Sequence, residues 1–267
     1  MENKSYVIYK TKPGRKGEDY HKAVKKGLQT FLNNEKRVDK NLPKDEARNS
    51  GNHIECSYLN HGIWTKLMEN VSNNKLPYSA NYFWWAKEAD EERMLFHFDI
   101  MNNPKSCGLS NLYQKEKGND GLAKWKSSYH SVGNMTPIPW FKIDGNHYID
   151  GQQLHKSLDE RWDLYLKFLK DNWNLFNKNK NMTFEKYIFY TCQQMYFEDI
   201  YNQINIEQID KLSVNDINKW KINCNSKIIN FSDLNEEVVV ETINNLIMIR
   251  NKVIFIKLKS ILEDNEI

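Results

Sequence analysis

The chain has 267 residues, of which 40% are hydrophobic and 13% aromatic, enough to fill a core without disulfide or metal staples and too apolar for wholesale disorder. Only 11 glycines and 6 prolines exclude collagen-like, mucin-like and Pro-rich linker proteins and disfavour a turn-dense β-sandwich. Lys and Arg together number 38 against 35 Asp and Glu, a net charge of +3 that neither demands nor forbids a nucleic-acid partner.

Six of the basic residues are arginine: Arg15, Arg37, Arg48, Arg93, Arg161 and Arg250. Arginine grips phosphate and carboxylate bidentately where lysine offers a mobile point charge, so each of the six is a candidate contact. The Lys- and Asn-heavy bias itself is what an A·T-rich genome encodes. Cys56, Cys107, Cys192 and Cys224 are widely spaced with no CxxC pair, against a disulfide scaffold or zinc finger. The first residues, Met1 to Ser5, lack a basic-then-apolar signal region, and no apolar run approaches about 18 residues. A cytoplasmic protein with no membrane partner is expected.

In chain order, Tyr6 to Tyr9 reads as extended and Lys12 to Gly17 as a turn. Tyr20, Val24, Leu28 and Phe31 recur at helical spacing, and residues 33 to 52 form a polar loop. Aromatics then crowd residues 58 to 98, including Trp64, Trp84 and Trp85, and the alternation of Phe96, His97 and Phe98 predicts a short strand. Residues 102 to 126 read as a long loop or insertion. Residues 129 to 150 are broken by Gly133-Asn134, Pro137 and Pro139, with a hairpin at Asp144-Gly145.

Leu158, Trp162, Tyr165, Leu169, Trp173 and Phe176 make one apolar helical stripe. A soft boundary falls at residues 177 to 183. A second helix is predicted from Phe184 to about Ile204, burying Tyr187, Ile188, Met195 and Ile200. Ser213 and Asp216 predict the cap of a short helix ending near Trp220, Lys227 to Phe231 a strand, and Asp233 with Glu236 the opening of a long C-terminal helix. The expected architecture is α+β and mainly helical: a single domain in which an irregular, aromatic-rich N-terminal half with short strands packs on a helical C-terminal half.

Standard catalytic motifs are missing. There is no GxxxxGK[ST], no GxGxxG after a strand, no GxSxG and no HExxH. His53-Ile54-Glu55 matches the opening of a zinc-deaminase signature without its P-C-x-x-C, and no metal site or cofactor is expected. The densest local pattern is Tyr129 to Trp140. In it His130 can serve as a general base, and Asn134 can orient a phosphate or water; the bland alternative is a turn built on Gly133-Asn134. Arg161 lies beside the apolar stripe, two residues from Asp159 and therefore on a different helix face.

Two resemblances bear on chemistry. The Tyr129 to Trp140 segment is similar to the iGNLtll element of HNH-type nuclease domains in modification-dependent restriction enzymes, though the upstream His pair is absent. Arg250-Asn251 resembles the R-N element of HEPN ribonucleases, in which the Arg holds the scissile phosphate; Phe255 stands where that family has its histidine. Over most of the chain, the ordered fragments Pro13-Gly14 through His21, His130 through Pro139, Leu158 through Leu164, and Arg250 through Ile254 resemble an uncharacterised bacterial family of unknown function, the DUF6994 type. That resemblance implies a shared architecture and an accessory role in phage–host conflict.

Two functions follow as expectations. One is an accessory, antiviral protein in phage–host conflict that acts on or binds RNA or DNA as a toxin-like ribonuclease, with His130, Arg161 and Arg250 as catalytic residues and Arg15, Asn134 and Asn251 as nucleic-acid contacts. The other is a noncatalytic inhibitor or antitoxin-like factor that binds a protein through an aromatic surface.

Overall fold

A computed structural model describes residues 63–64, 66–67, 82–85, 94–102, 120–128, 131–139, 141–144, 147–149, 161–176 and 182–263. These residues are mostly helical, as expected. The early helix around Tyr20 to Phe31, the Lys12 to Gly17 turn and most of the aromatic-rich segment lie outside them.

Strands β1 (Tyr82–Trp85), β2 (Met94–Ile100) and β3 (Met135–Pro139) form an antiparallel sheet in that order. The expected strand at Phe96 to Phe98 is thus the middle of β2, with His97 opposite Tyr82 on one side and Ile138 on the other. Pro137 and Pro139 are tolerated because β3 is an outer strand. Sharing one parity, they leave their missing N–H groups off the ladder. β4 (Phe141–Asp144) and β5 (His147–Ile149) pair as the hairpin predicted at Asp144-Gly145.

The predicted 102 to 126 loop needs correction, because α1 (Asp120–Ser128) occupies its end, burying Leu122 and Trp125. The apolar stripe becomes α2 (Trp162–Phe176), with Trp162, Tyr165, Leu166, Leu169 and Trp173 buried and Lys167 exposed. Each large apolar side chain so buried contributes about 1.5–3 kcal/mol. At Asn172 the helix departs from regular geometry (φ −119°), where the side-chain amide donates back to the Phe168 carbonyl at 2.9 Å.

The predicted 184 to 204 helix is in fact two helices, α3 (Phe184–Tyr190) and α4 (Glu198–Tyr201), separated by a 3-10 turn at Gln194–Tyr196. Tyr187, Ile188, Met195 and Ile200 are buried as expected. The interruption is a Schellman-type ending: Gln193 N–H donates to Ile188 O at 2.9 Å and Cys192 N–H to Phe189 O at 3.3 Å. Cys192 occupies the left-handed position (φ 55°) that glycine usually fills.

Ser213 and Asp216 form the predicted capping box at the start of α5 (Val214–Lys219), which ends at Trp220. The strand expected at Lys227 to Phe231 reduces to one bridge, Phe197 to Ile228, followed by a 3-10 turn at Phe231–Asp233. The long C-terminal helix is α6 (Glu236–Glu263), about 42 Å at 1.5 Å per residue. Its cap is Asn235 rather than Asp233: Val238 N–H donates to Asn235 Oδ1 at 2.9 Å.

α6 is buried on nearly every face from Val239 to Leu258 and packs against α1, α5 and the 131–134 loop. One cluster of buried side chains runs from Ile63 and Trp64 through α2 and α3 to Leu258 of α6. Among the described residues, no helix is long and apolar enough to cross a membrane.

Candidate functional site

Polar side chains converge where α6, the end of α3 and the 131–136 segment meet. Arg250 is fully buried, and its guanidinium reaches five backbone carbonyls. Nε donates to Cys192 O at 3.0 Å and Thr191 O at 3.2 Å, and Nη2 to Thr191 O at 2.8 Å. Nη1 donates to Met135 O at 2.7 Å, Gly133 O at 2.9 Å and Val132 O at 3.4 Å. The guanidinium carbon lies 5.0 Å from the Trp64 ring centroid. Burial pulls this cation down to about 10, with partial compensation from Tyr196, Cys192 and Tyr187, so it stays charged at neutral pH.

No described carboxylate pairs with Arg250. Its counter-charge is dipolar: Thr191 O and Cys192 O are carbonyls released where α3 stops, at the negative end of that helix. Lys257, two turns further along the same face of α6, donates to Phe189 O of the same terminus at 2.7 Å and sits 3.6 Å from the Phe189 ring centroid. The left-handed Cys192 therefore turns the chain so that two cations from α6 can receive the carbonyls of α3.

Asn251 holds the facing loop. Its Oδ1 accepts from Gly133 N–H at 2.7 Å and its Nδ2 donates to Ser131 Oγ at 3.4 Å. Gly133 has to be glycine here, since a Cβ would collide with the Ile247 carbonyl and come within 2.8 Å of Asn251 Cγ. Asn134 extends the β2–β3 ladder with its side chain: Asn102 N–H donates to its Oδ1 at 3.2 Å, and its Nδ2 donates to Asn102 O at 3.0 Å. Asn102 Nδ2 donates in turn to Tyr196 Oη at 3.0 Å.

The outer side of β3 is closed by the same set. Met135 and Pro137 share a parity; Met135 O accepts from Arg250, and Pro137 O accepts from Tyr187 Oη at 2.8 Å. Gln193 Nε2 donates to Thr136 Oγ1 at 3.0 Å and Thr191 Oγ1 at 2.7 Å, while its Oε1 accepts from Trp162 Nε1 at 2.8 Å. Burial raises the Tyr187 phenol well above its ordinary range.

Arg161 caps α2 instead of lying within it: Tyr165 N–H donates to Arg161 O at 3.0 Å. Freed from helical geometry, its side chain forks onto Asp163, Nε to Oδ1 at 2.9 Å and Nη2 to Oδ2 at 2.7 Å. A pair two residues apart is possible because the first member precedes the helix. The Asp163 side chain is 1% exposed and Oδ2 also accepts from Phe231 N–H at 3.1 Å.

Of the residues expected to form the site, Arg250, Asn251 and Asn134 thus belong to one buried network, facing backbone and not solvent. Arg161 meets it at its backbone bridge to Asn102. His130 and Arg15 lie outside the described residues. Phe255, at the position of the HEPN histidine, is 3% exposed. Sequence reasoning missed Gln193 and Lys257. The readable signal for Lys257 was a lone cation in the apolar run Val253 to Leu258. Among the described residues no cluster of His, Cys, Asp or Glu could hold a metal ion.

No family model, curated protein or solved structure matches the chain.

Proposed function

We propose that the chain is a noncatalytic binding factor in phage–host conflict, acting in the cytoplasm on a protein partner. The observation that carries this reading is the commitment of Arg250: every guanidinium nitrogen donates to a backbone carbonyl, leaving none directed at a scissile phosphate. Asn251 is likewise spent on Gly133 N–H. The conflict setting comes from the family resemblance of the ordered fragments. A partner-binding role draws on β1, an outer strand of the described sheet that carries Tyr82-Phe83-Trp84-Trp85, residue types that anchor interfaces.

The test is affinity capture from phage-infected and uninfected cells after nuclease treatment, with the wild-type chain and a Trp84→Ala/Trp85→Ala variant, beside an RNA-cleavage assay. The expected result is one protein retained at fixed stoichiometry by the wild type, lost from the variant, with no RNA product. Cleavage of RNA that disappears in His130→Ala would overturn the reading. So would recovery of nucleic acid in place of a protein.

A further inference from the structure

Lys257 does more than close the end of α3, because it also lines a cavity of about 210 Å³ between three helices. α6 supplies Lys257, Ser260 and Ile261, α3 supplies Phe189 and Tyr190, and α5 supplies Val214. Among the described residues that line it, none is acidic, and all are apolar apart from one ammonium and a few uncharged polar groups.

Lys257 is 8% exposed yet has no described carboxylate beside it. One N–H goes to Phe189 O, a second to the Cys192 side chain, and the head lies over the Phe189 ring, which leaves the third N–H of the ammonium for a ligand. The Tyr190, Asn218 and Ser260 side chains make no hydrogen bonds to described residues and supply further polar contacts at the wall. Burial depresses Lys257 below its ordinary value, offset in part by Cys192; an anion seated beside it would relieve that cost.

We propose that this cavity is a binding site for a small monocarboxylate with a compact apolar body, the carboxylate meeting Lys257 and the body packing on Phe189, Val214 and Ile261. The size fits such a ligand: at about 30 Å³ per water, the cavity has room for about seven waters. A phenyl carboxylate is of that order, and a nucleotide is not. The orientation follows from chemistry, because a carboxylate against a cation in a partly dry site makes a charge-assisted bond stronger than a neutral one. This inference is independent of the protein-binding reading and of the Arg250 network.

The probe is benzoate, with benzyl alcohol as its uncharged counterpart, titrated into the full chain by calorimetry and ligand-observed NMR. Two variants accompany the wild type: Lys257→Met, which keeps the stem volume and removes the charge, and Ser260→Phe, which fills the cavity from a half-buried position. The expected result is saturable benzoate binding, about tenfold weaker benzyl alcohol binding, loss of that preference in Lys257→Met, and loss of both ligands in Ser260→Phe. Should Lys257→Met fail to fold, the wild-type preference and its loss in Ser260→Phe decide the matter. Absence of benzoate binding below about 10 mM, equal binding of the two probes by the wild type, or benzoate affinity unchanged by Ser260→Phe would overturn it.

Discussion

Asn251 shows how one side chain can fix a loop. Its Oδ1 accepts from Gly133 N–H at 2.7 Å in a space closed to water, so Asn251→Ala strands a buried donor and is expected to cost about 1–3 kcal/mol. Denaturant midpoints read this directly, and an unchanged midpoint would mean the loop finds another acceptor. Tyr187 makes a pH prediction. Its folded-state value is raised above the unfolded value near 10, so its contribution is fully present below pH 10 and is lost as pH rises above it, when the unfolded chain ionises first. Tyr187→Phe removes that share of alkaline destabilisation while losing the bond to Pro137 O, worth about 1 kcal/mol. The expected profile of unfolding free energy is lower at pH 8 and flatter from pH 9 to 11 than wild type; parallel profiles would contradict the assignment. Arg250 works in the opposite direction, since its depressed value makes its burial less costly as pH passes 10.

At the scale of elements, what could be read from sequence depended on whether a local rule decided the outcome. The α2 stripe was legible because 3.6-residue spacing and one-sided burial coincide there. The α5 cap was legible because Ser213 and Asp216 complete it within four residues. Ser213→Ala is therefore expected to cost about 1 kcal/mol, measured by denaturation, with no change in the exchange protection of α2. The break after Tyr190 was not legible: no Gly or Pro marks it, and Cys192 holds a left-handed conformation against its local preference, at about 1 kcal/mol. Contacts remote in sequence, from Arg250 to Thr191 O and Cys192 O, are what hold it there. Likewise the pairing of Arg161 with Asp163 was hidden because the helix boundary, not the spacing, decides it.

Across the whole molecule, α6 is the common wall against which the sheet edge, the end of α3 and α5 are assembled. An apolar helix alone would leave the carbonyls of α3 and the outer side of β3 unsatisfied in a dry interior, so two cations on α6 complete what backbone pairing leaves open. Arg250 and Asn251, the pair that resembles a nuclease element, both sit in the buried network with their side chains bonded to backbone groups. A two-residue motif carries no information about which way the side chains face. Gly133-Asn134, by contrast, reads as a turn in the sequence, and close approach of Ile247 and Asn251 supplies the reason for its glycine.

Arg250 joins two separate segments of the fold through their backbone carbonyls. The most direct test of this role is the unfolding free energy of Arg250→Lys, which keeps a cation but cannot fork onto both the end of α3 and the 132–135 segment at once. A loss of about 3 kcal/mol or more is expected, with exchange protection falling together at Met135, Gln193 and the 131–134 loop. A variant as stable as wild type, with protection unchanged at those amides, would contradict it.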